Sequence, residues 1–176
     1  ALLNAASSEE IVFTKGGTEA VNIVAAGIGA SIKPGDEIVL SIMEHHSNIV
    51  PWHFLRERKG AVLKWVDTLP DGSLDMDGLA RQLTSRTKLL ALTHMSNVLG
   101  TVPDVKTAIT MAHALGADVL LDGCQASVNL VVCYTTAWST ESTVTCLAKP
   151  DSGAGRLFSL SISALVNTRL SAFTFD

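Results

Sequence analysis

Short apolar runs alternate with stretches of helical period, and this alternation constrains the fold of the chain more than any other feature. Ile11–Thr14, Glu37–Ser41, Ala61–Val66, Lys88–Thr93 and Ala117–Asp122 are brief and rich in Val, Ile and Leu. Runs of that kind, apolar at consecutive positions, suit strands buried on both faces. Between them the helical period returns at Thr18–Ala30, His46–Arg58, Asp75–Leu83 and Val105–Leu115. Turn chemistry separates the elements at Lys33-Pro34-Gly35-Asp36, Leu69-Pro70-Asp71-Gly72 and Leu115-Gly116. Strand and helix in strict alternation predict an α/β fold with a mostly parallel sheet flanked by helices on both faces.

Composition narrows the function. The chain has 176 residues, 47% of them apolar, which is enough for one substantial core. A net charge of −4 with no run of like charge argues against nucleic acid or an anionic membrane as the main partner. Apolar stretches stop well short of the roughly 20 residues a bilayer span needs, and no signal peptide is expected. Cys124, Cys133 and Cys146 lack metal-ligand spacing and suit free thiols in a reducing compartment, so a cytoplasmic setting is expected.

The texture changes near residue 132. Cys133 to Thr145 reads "CYTTAWSTESTVT", without period or turn chemistry, and the tail from Leu157 is only weakly strand-like. Residues 1–132 are expected to form one unit and residues 133–176 a divergent tail. A shifted reading frame near residue 133 is one explanation of that tail.

Four short motifs bear on chemistry. Thr14-Lys15-Gly16-Gly17-Thr18-Glu19-Ala20 lies where a strand ends and a helix begins. It suits a phosphate cradle, with helix N–H groups facing an anion, or an ordinary glycine-rich loop with Thr18 as N-cap. Asp122 ends a strand at the edge where open α/β sheets bind ligands, and needs either a cationic partner or a helix to cap. Asn97 follows another strand, as a rim residue or a turn former. In Glu44-His45-His46 the adjacent rings should diverge by about 100° on a helix and point to opposite faces on a strand, which disfavours one metal held by both. His53, His94 and His113 read as structural or exposed.

Taken together, "EEIVFTKGGTEAVN", "MEHHSNIVPW", "THMSNVLGT" and "VLLDGCQA" resemble, in order and spacing, the cysteine desulfurases of the NifS/SUF type. These are class V aminotransferase-like members of the fold-type I pyridoxal-phosphate enzymes. The resemblance covers residues 3–132 and implies part of the large domain of that fold. It implies pyridoxal 5'-phosphate as cofactor, with Gly17 and Thr18 at its phosphate and His45 stacked on its ring. Asp122 would pair with the ring nitrogen, and Gln125 and Asn97 would hydrogen-bond around the ring oxygen and substrate. His46 would keep a structural or access role. L-cysteine is the implied substrate, giving L-alanine and an enzyme persulfide whose sulfur passes to an acceptor protein. The family works as a homodimer. Selenocysteine lyase, another class V activity and a non-catalytic remnant are the alternatives.

The sequence departs from the family in two places. The family lysine that bonds to the cofactor sits in Ser-Gly-His-Lys, about 23 residues beyond the glutamine matching Gln125. Position 148 here is Ala, and Lys149, in "CLAKPDSGAGRLF", is the candidate without the Ser-Gly-His before it. The persulfide cysteine and the substrate-carboxylate arginine belong to a C-terminal small domain that this sequence does not match. An inactive fragment is therefore expected.

Overall fold

A computed structural model describes residues 8–125, 144–148 and 157–162. In chain order it contains β1 (Ile11–Thr14), α1 (Gly17–Gly29), β2 (Glu37–Ser41), α2 (Val50–Lys59), β3 (Val62–Val66), α3 (Met76–Gln82), β4 (Thr87–Thr93), α4 (Val105–Ala114), β5 (Asp118–Asp122), β6 (Val144–Ala148) and β7 (Leu157–Ile162). The seven strands form one sheet in the order β1-β7-β6-β5-β4-β2-β3. All neighbours are parallel except β6, which runs antiparallel to both β5 and β7. Both β6 and β7 lie beyond residue 132 and insert between β5 and β1.

Alternate residues of each central strand serve opposite faces. Ile38, Leu40, Leu89, Ala91 and Leu120 pack with α1 and α2, around Val21, Val24, Trp52 and Leu55. Val39, Leu90, Leu92, Val119 and Leu121 pack with α3 and α4, around Leu79, Leu83, Ala108 and Ala112. Burial on both faces is why these strands carry no polar alternation.

The helix ends follow local chemistry. The Asp75 carboxylate accepts from Gly78 N at 2.7 Å to cap α3, and Asp104 accepts from Thr107 N at 3.1 Å to cap α4. Gly60 closes α2 in the left-handed region (φ 73°), where its amide bonds Arg56 O and Pro34 packs above it.

Two expectations are corrected. The helix expected over His46–Arg58 is split into a 3₁₀ turn, His46–Asn48, and α2, with Pro51 in the first turn of α2. Proline has no N–H to continue a ladder from the preceding turn but is preorganised to start a new helix. Thr18 does not cap α1, because the helix begins one residue earlier and Gly16 holds the cap position without a side-chain bond. The adjacent amide of Lys15 is taken by the Glu19 carboxylate at 2.5 Å.

Candidate functional site

Because β1, β2, β4 and β5 point the same way, their carboxyl ends and the loops after them share one edge of the sheet. Gly16, Gly17 and Thr18 follow β1, Glu44 to Asn48 follow β2, Asn97 follows β4, and Asp122 ends β5. Helix α1 packs against α2 and against the His46–Asn48 turn, which brings the first and second of these loops to the same face.

At the start of α1, Gly17 is buried and Thr18 exposed. A Cβ added to Gly16 would meet nothing within 4 Å. Its φ of 172° is extended backbone open to any residue, so neither backbone nor packing asks for glycine there. The open space above a helix N-terminus suits an anion bound by the free amides.

Asp122 is 2% exposed, and one carboxylate oxygen accepts from Cys124 N at 3.1 Å. The other has no hydrogen-bond partner among the described residues, and no described cation pairs with it. A carboxylate so placed lacks the counter-charge its burial calls for. Beside it, His94 N donates to Asp122 O at 2.8 Å. The His94 ring is 2% exposed with an unpaired Nδ1, and burial holds its pKa below the usual imidazole value. Of the two readings for His94, structural or exposed, the structure excludes the exposed one and buries the ring at this edge with an unpartnered Nδ1.

His45 is exposed and caps the 3₁₀ turn. Its Nδ1 accepts from Ser47 N at 3.2 Å and lies 2.7 Å from Ser47 Oγ. A backbone amide only donates, so the neutral ring carries its proton on Nε2, the nitrogen turned away from these bonds. The His45 and His46 rings do not diverge, as was expected of adjacent residues: their centroids are 4.0 Å apart with a 36° tilt. The expectation assumed a regular helix or strand, whereas His45 has extended φ and ψ of −65° and 144° and His46 begins a 3₁₀ turn. No three or more His, Cys, Asp or Glu side chains group to hold a metal ion among the described residues.

Asn97 and Gln125 are both exposed. The Asn97 loop is closed by Ser96 O accepting from Gly100 N at 2.9 Å, and by Ser96 Oγ accepting from Val98 N and Leu99 N. Lys149 lies outside the described residues, as does the expected boundary between residues 132 and 133.

Sequence reasoning missed one group. Glu44 is 7% exposed, and its carboxylate accepts from Ser41 Oγ at 2.5 Å, Thr93 N at 2.9 Å and Asn48 Nδ2 at 2.7 Å. Burial, together with the negative charge of Asp122, pushes its pKa up to about 7 against these three hydrogen bonds. The spacing Glu44, Asn48, Trp52 was a signal that these side chains could share a side.

The sequence of residues 1–134 matches the family profile described as aminotransferase class-V. The chain belongs to that family. A cysteine desulfurase of Salmonella gallinarum is 52% identical to this class-V chain over 125 residues, 70% of the chain and 31% of the relative. The crystal structure of the cysteine desulfurase CsdA of Escherichia coli superposes with a TM-score of 0.70 at 42% identity, covering 73% of this chain and 33% of that one. The fold is also that of C-DES, solved with glycine covalently linked to its PLP cofactor, with a TM-score of 0.58 at 24% identity over 68% of this chain and 32% of that one. The class-V chain thus spans about a third of the length of the relatives it matches. Among its described residues no helix is long and apolar enough to cross a membrane.

Proposed function

We propose that this chain carries the cofactor-binding edge of a pyridoxal-phosphate-dependent cysteine desulfurase. The observation that supports it best is the meeting of three unlike groups at one sheet edge. These are an open helix N-terminus at Gly16 and Gly17, a flat imidazole at His45 and a buried carboxylate without a cation at Asp122. An anionic phosphate, an aromatic ring and a protonated ring nitrogen are what those groups suit, and one molecule has all three.

The α1 amides beyond Gly17, with the Thr18 hydroxyl, would hold the phosphate. His45 would lie flat on the ring and keep a proton on Nε2 at the substrate side. The free oxygen of Asp122 would hold the positive charge at the ring nitrogen. Asn97 and Gln125, exposed at the rim, would orient the ring oxygen and the substrate. When bound, pyridoxal phosphate supplies an electron sink for bonds at the amino-acid α-carbon. For the whole protein the reaction is L-cysteine to L-alanine, with sulfur carried on an enzyme persulfide to an acceptor protein in a cytoplasmic homodimer. None of Cys124, Cys133 and Cys146 is assigned the sulfur-accepting role, so these 176 residues alone are expected to bind cofactor without turnover.

Borohydride reduction of the chain mixed with pyridoxal phosphate tests this. A pyridoxyl mass on the peptide containing Lys149, with no sulfide released from L-cysteine, is the expected result. No adduct, or adducts spread over other lysines, would overturn the cofactor reading. Robust sulfide release would overturn the claim that the sulfur acceptor is not among these residues.

A further inference from the structure

Glu44 immediately precedes His45, yet none of its three hydrogen bonds involves a cation. One of its donors, Asn48, is fully buried, and the Asn48 Oδ1 accepts from the fully buried Trp52 Nε1 at 3.1 Å. An indole nitrogen can only donate. The Asn48 carbonyl must therefore face Trp52, and its NH₂ must face Glu44. The chain of bonds runs one way, from Trp52 through Asn48 to Glu44, and Glu44 Oε2 has to accept. Glu44 Oε1 also accepts, from the backbone amide of Thr93. A glutamine here would satisfy Thr93 but would turn its own NH₂ toward the NH₂ of Asn48.

What this carboxylate holds is the loop under His45. Ser41 is the last residue of β2, Thr93 the last of β4, and Trp52 belongs to α2. Through Glu44 the two strand ends and the helix are tied to the backbone that presents the His45 ring. Among the described residues the hydrogen bonds of that ring are to Ser47 alone, inside the same turn. No distant hydrogen bond from a described residue steers the imidazole except through this backbone.

We propose that Glu44 is the positioning residue for His45, and that the one-way bonds from Trp52 through Asn48 make an acceptor at both of its oxygens a requirement. This deepens the proposed function and, for its cofactor consequence, rests on it. The polarity gives a specific rescue. In the double variant Glu44→Gln/Asn48→Asp the carboxylate moves one link along, with size and net charge conserved. Residue 48 then accepts from both Trp52 Nε1 and the new amide.

The test compares the parent chain, Glu44→Gln and the double variant. NMR of the cofactor-free protein follows the Trp52 indole N–H and the His45 ring protons, and equilibrium dialysis follows pyridoxal phosphate. In Glu44→Gln both sets of resonances are expected to move, and pyridoxal phosphate to bind about tenfold more weakly, as expected when one buried donor is left facing another. In the double variant, resonances and affinity are expected to return to parent values. A merely space-filling glutamate predicts the reverse: the isosteric single variant keeps the His45 resonances and the affinity, and that result overturns the proposal. A double variant no better than the single one also overturns it. If Glu44→Gln does not fold, the double variant decides: it must fold with parent resonances, or the proposal fails. If the parent binds no pyridoxal phosphate, the proposed function fails instead, and the resonances alone decide the role of Glu44.

Discussion

Two buried glutamates bracket β2, and the protein treats them oppositely. Glu37 opens the strand and is fully buried at the amino edge of the sheet. Its carboxylate receives Arg86 Nη2 at 2.8 Å, Lys64 Nζ at 3.1 Å and Thr84 Oγ1 at 2.6 Å, from β3 and from the turn before β4. Burial alone would raise its pKa, but Thr84, Lys64 and Arg86 outweigh burial and hold it below the usual carboxylate value. Glu44 lies just past the other end of β2, is also buried and meets only neutral donors among the described residues, so its pKa rises to about 7. A glutamate that only staples strands can be surrounded by cations. At the edge where Asp122 waits without a counter-charge, a cation held on a carboxylate would compete with any positively charged ligand group, and no described cation pairs with Glu44 or Asp122.

The largest test of the contrast makes the same change at both sites. Glu37→Gln is expected to cost about 3 kcal/mol in urea unfolding at pH 7, because it removes the buried charge that Lys64 and Arg86 pair with. The exposed approach of Arg86, whose side chain is 71% exposed, keeps the loss at the low end of that class. Near pH 4.5, where the folded Glu44 carboxyl is still protonated, Glu44→Gln is expected to cost about 1 kcal/mol, since one donor is left unmet. Equal losses would break the contrast.

Of similar size at most is the pH dependence, which should have opposite sign at the two ends. The folded pKa of Glu44 is raised, from 4.5 to about 7. Its contribution is whole below about pH 4.5 and is lost as pH rises through 7, a decline of up to about 3 kcal/mol. Glu37, with a lowered pKa, contributes above pH 4.5 and loses its contribution only as acid protonates it. Urea midpoints across pH 4–8 should therefore show a neutral-range decline that Glu44→Gln flattens and Glu37→Gln leaves in place. A decline unchanged in Glu44→Gln would assign it to another group.

The smallest stability effect is expected at Gly16. With open space around an added Cβ and extended backbone, Gly16→Ala should shift unfolding by less than about 0.5 kcal/mol while weakening pyridoxal phosphate binding. A stability loss above 1 kcal/mol would mean the glycine serves the fold rather than a ligand.

Much of this was legible beforehand, for identifiable reasons. Strands such as Lys88–Thr93 show as apolar runs because both faces of a central strand are covered, and Asp75 and Asp104 sit where caps belong. Positions set by one proline or one cap were less legible. Pro51 split a helix that periodicity drew as continuous, and Gly16 rather than Thr18 took the cap of α1. The candidate residues Gly17, Thr18, His45, Asn97, Asp122 and Gln125 came from short motifs, and all lie in described structure, in the first turn of α1, in loops or at a strand end. Lys149 does not lie in it.

By itself the sequence determined the alternation of elements, hence the α/β class, and the motif order that marks the class-V family, because both depend on residue types at short spacing. Only the tertiary structure decided which groups are short of partners. Whether Asp122 meets a cation, Glu44 a proton or His94 a donor depends on side chains brought from strands and helices far apart in the chain. Burial, which makes those unmet needs costly, exists only once the sheet has closed over them.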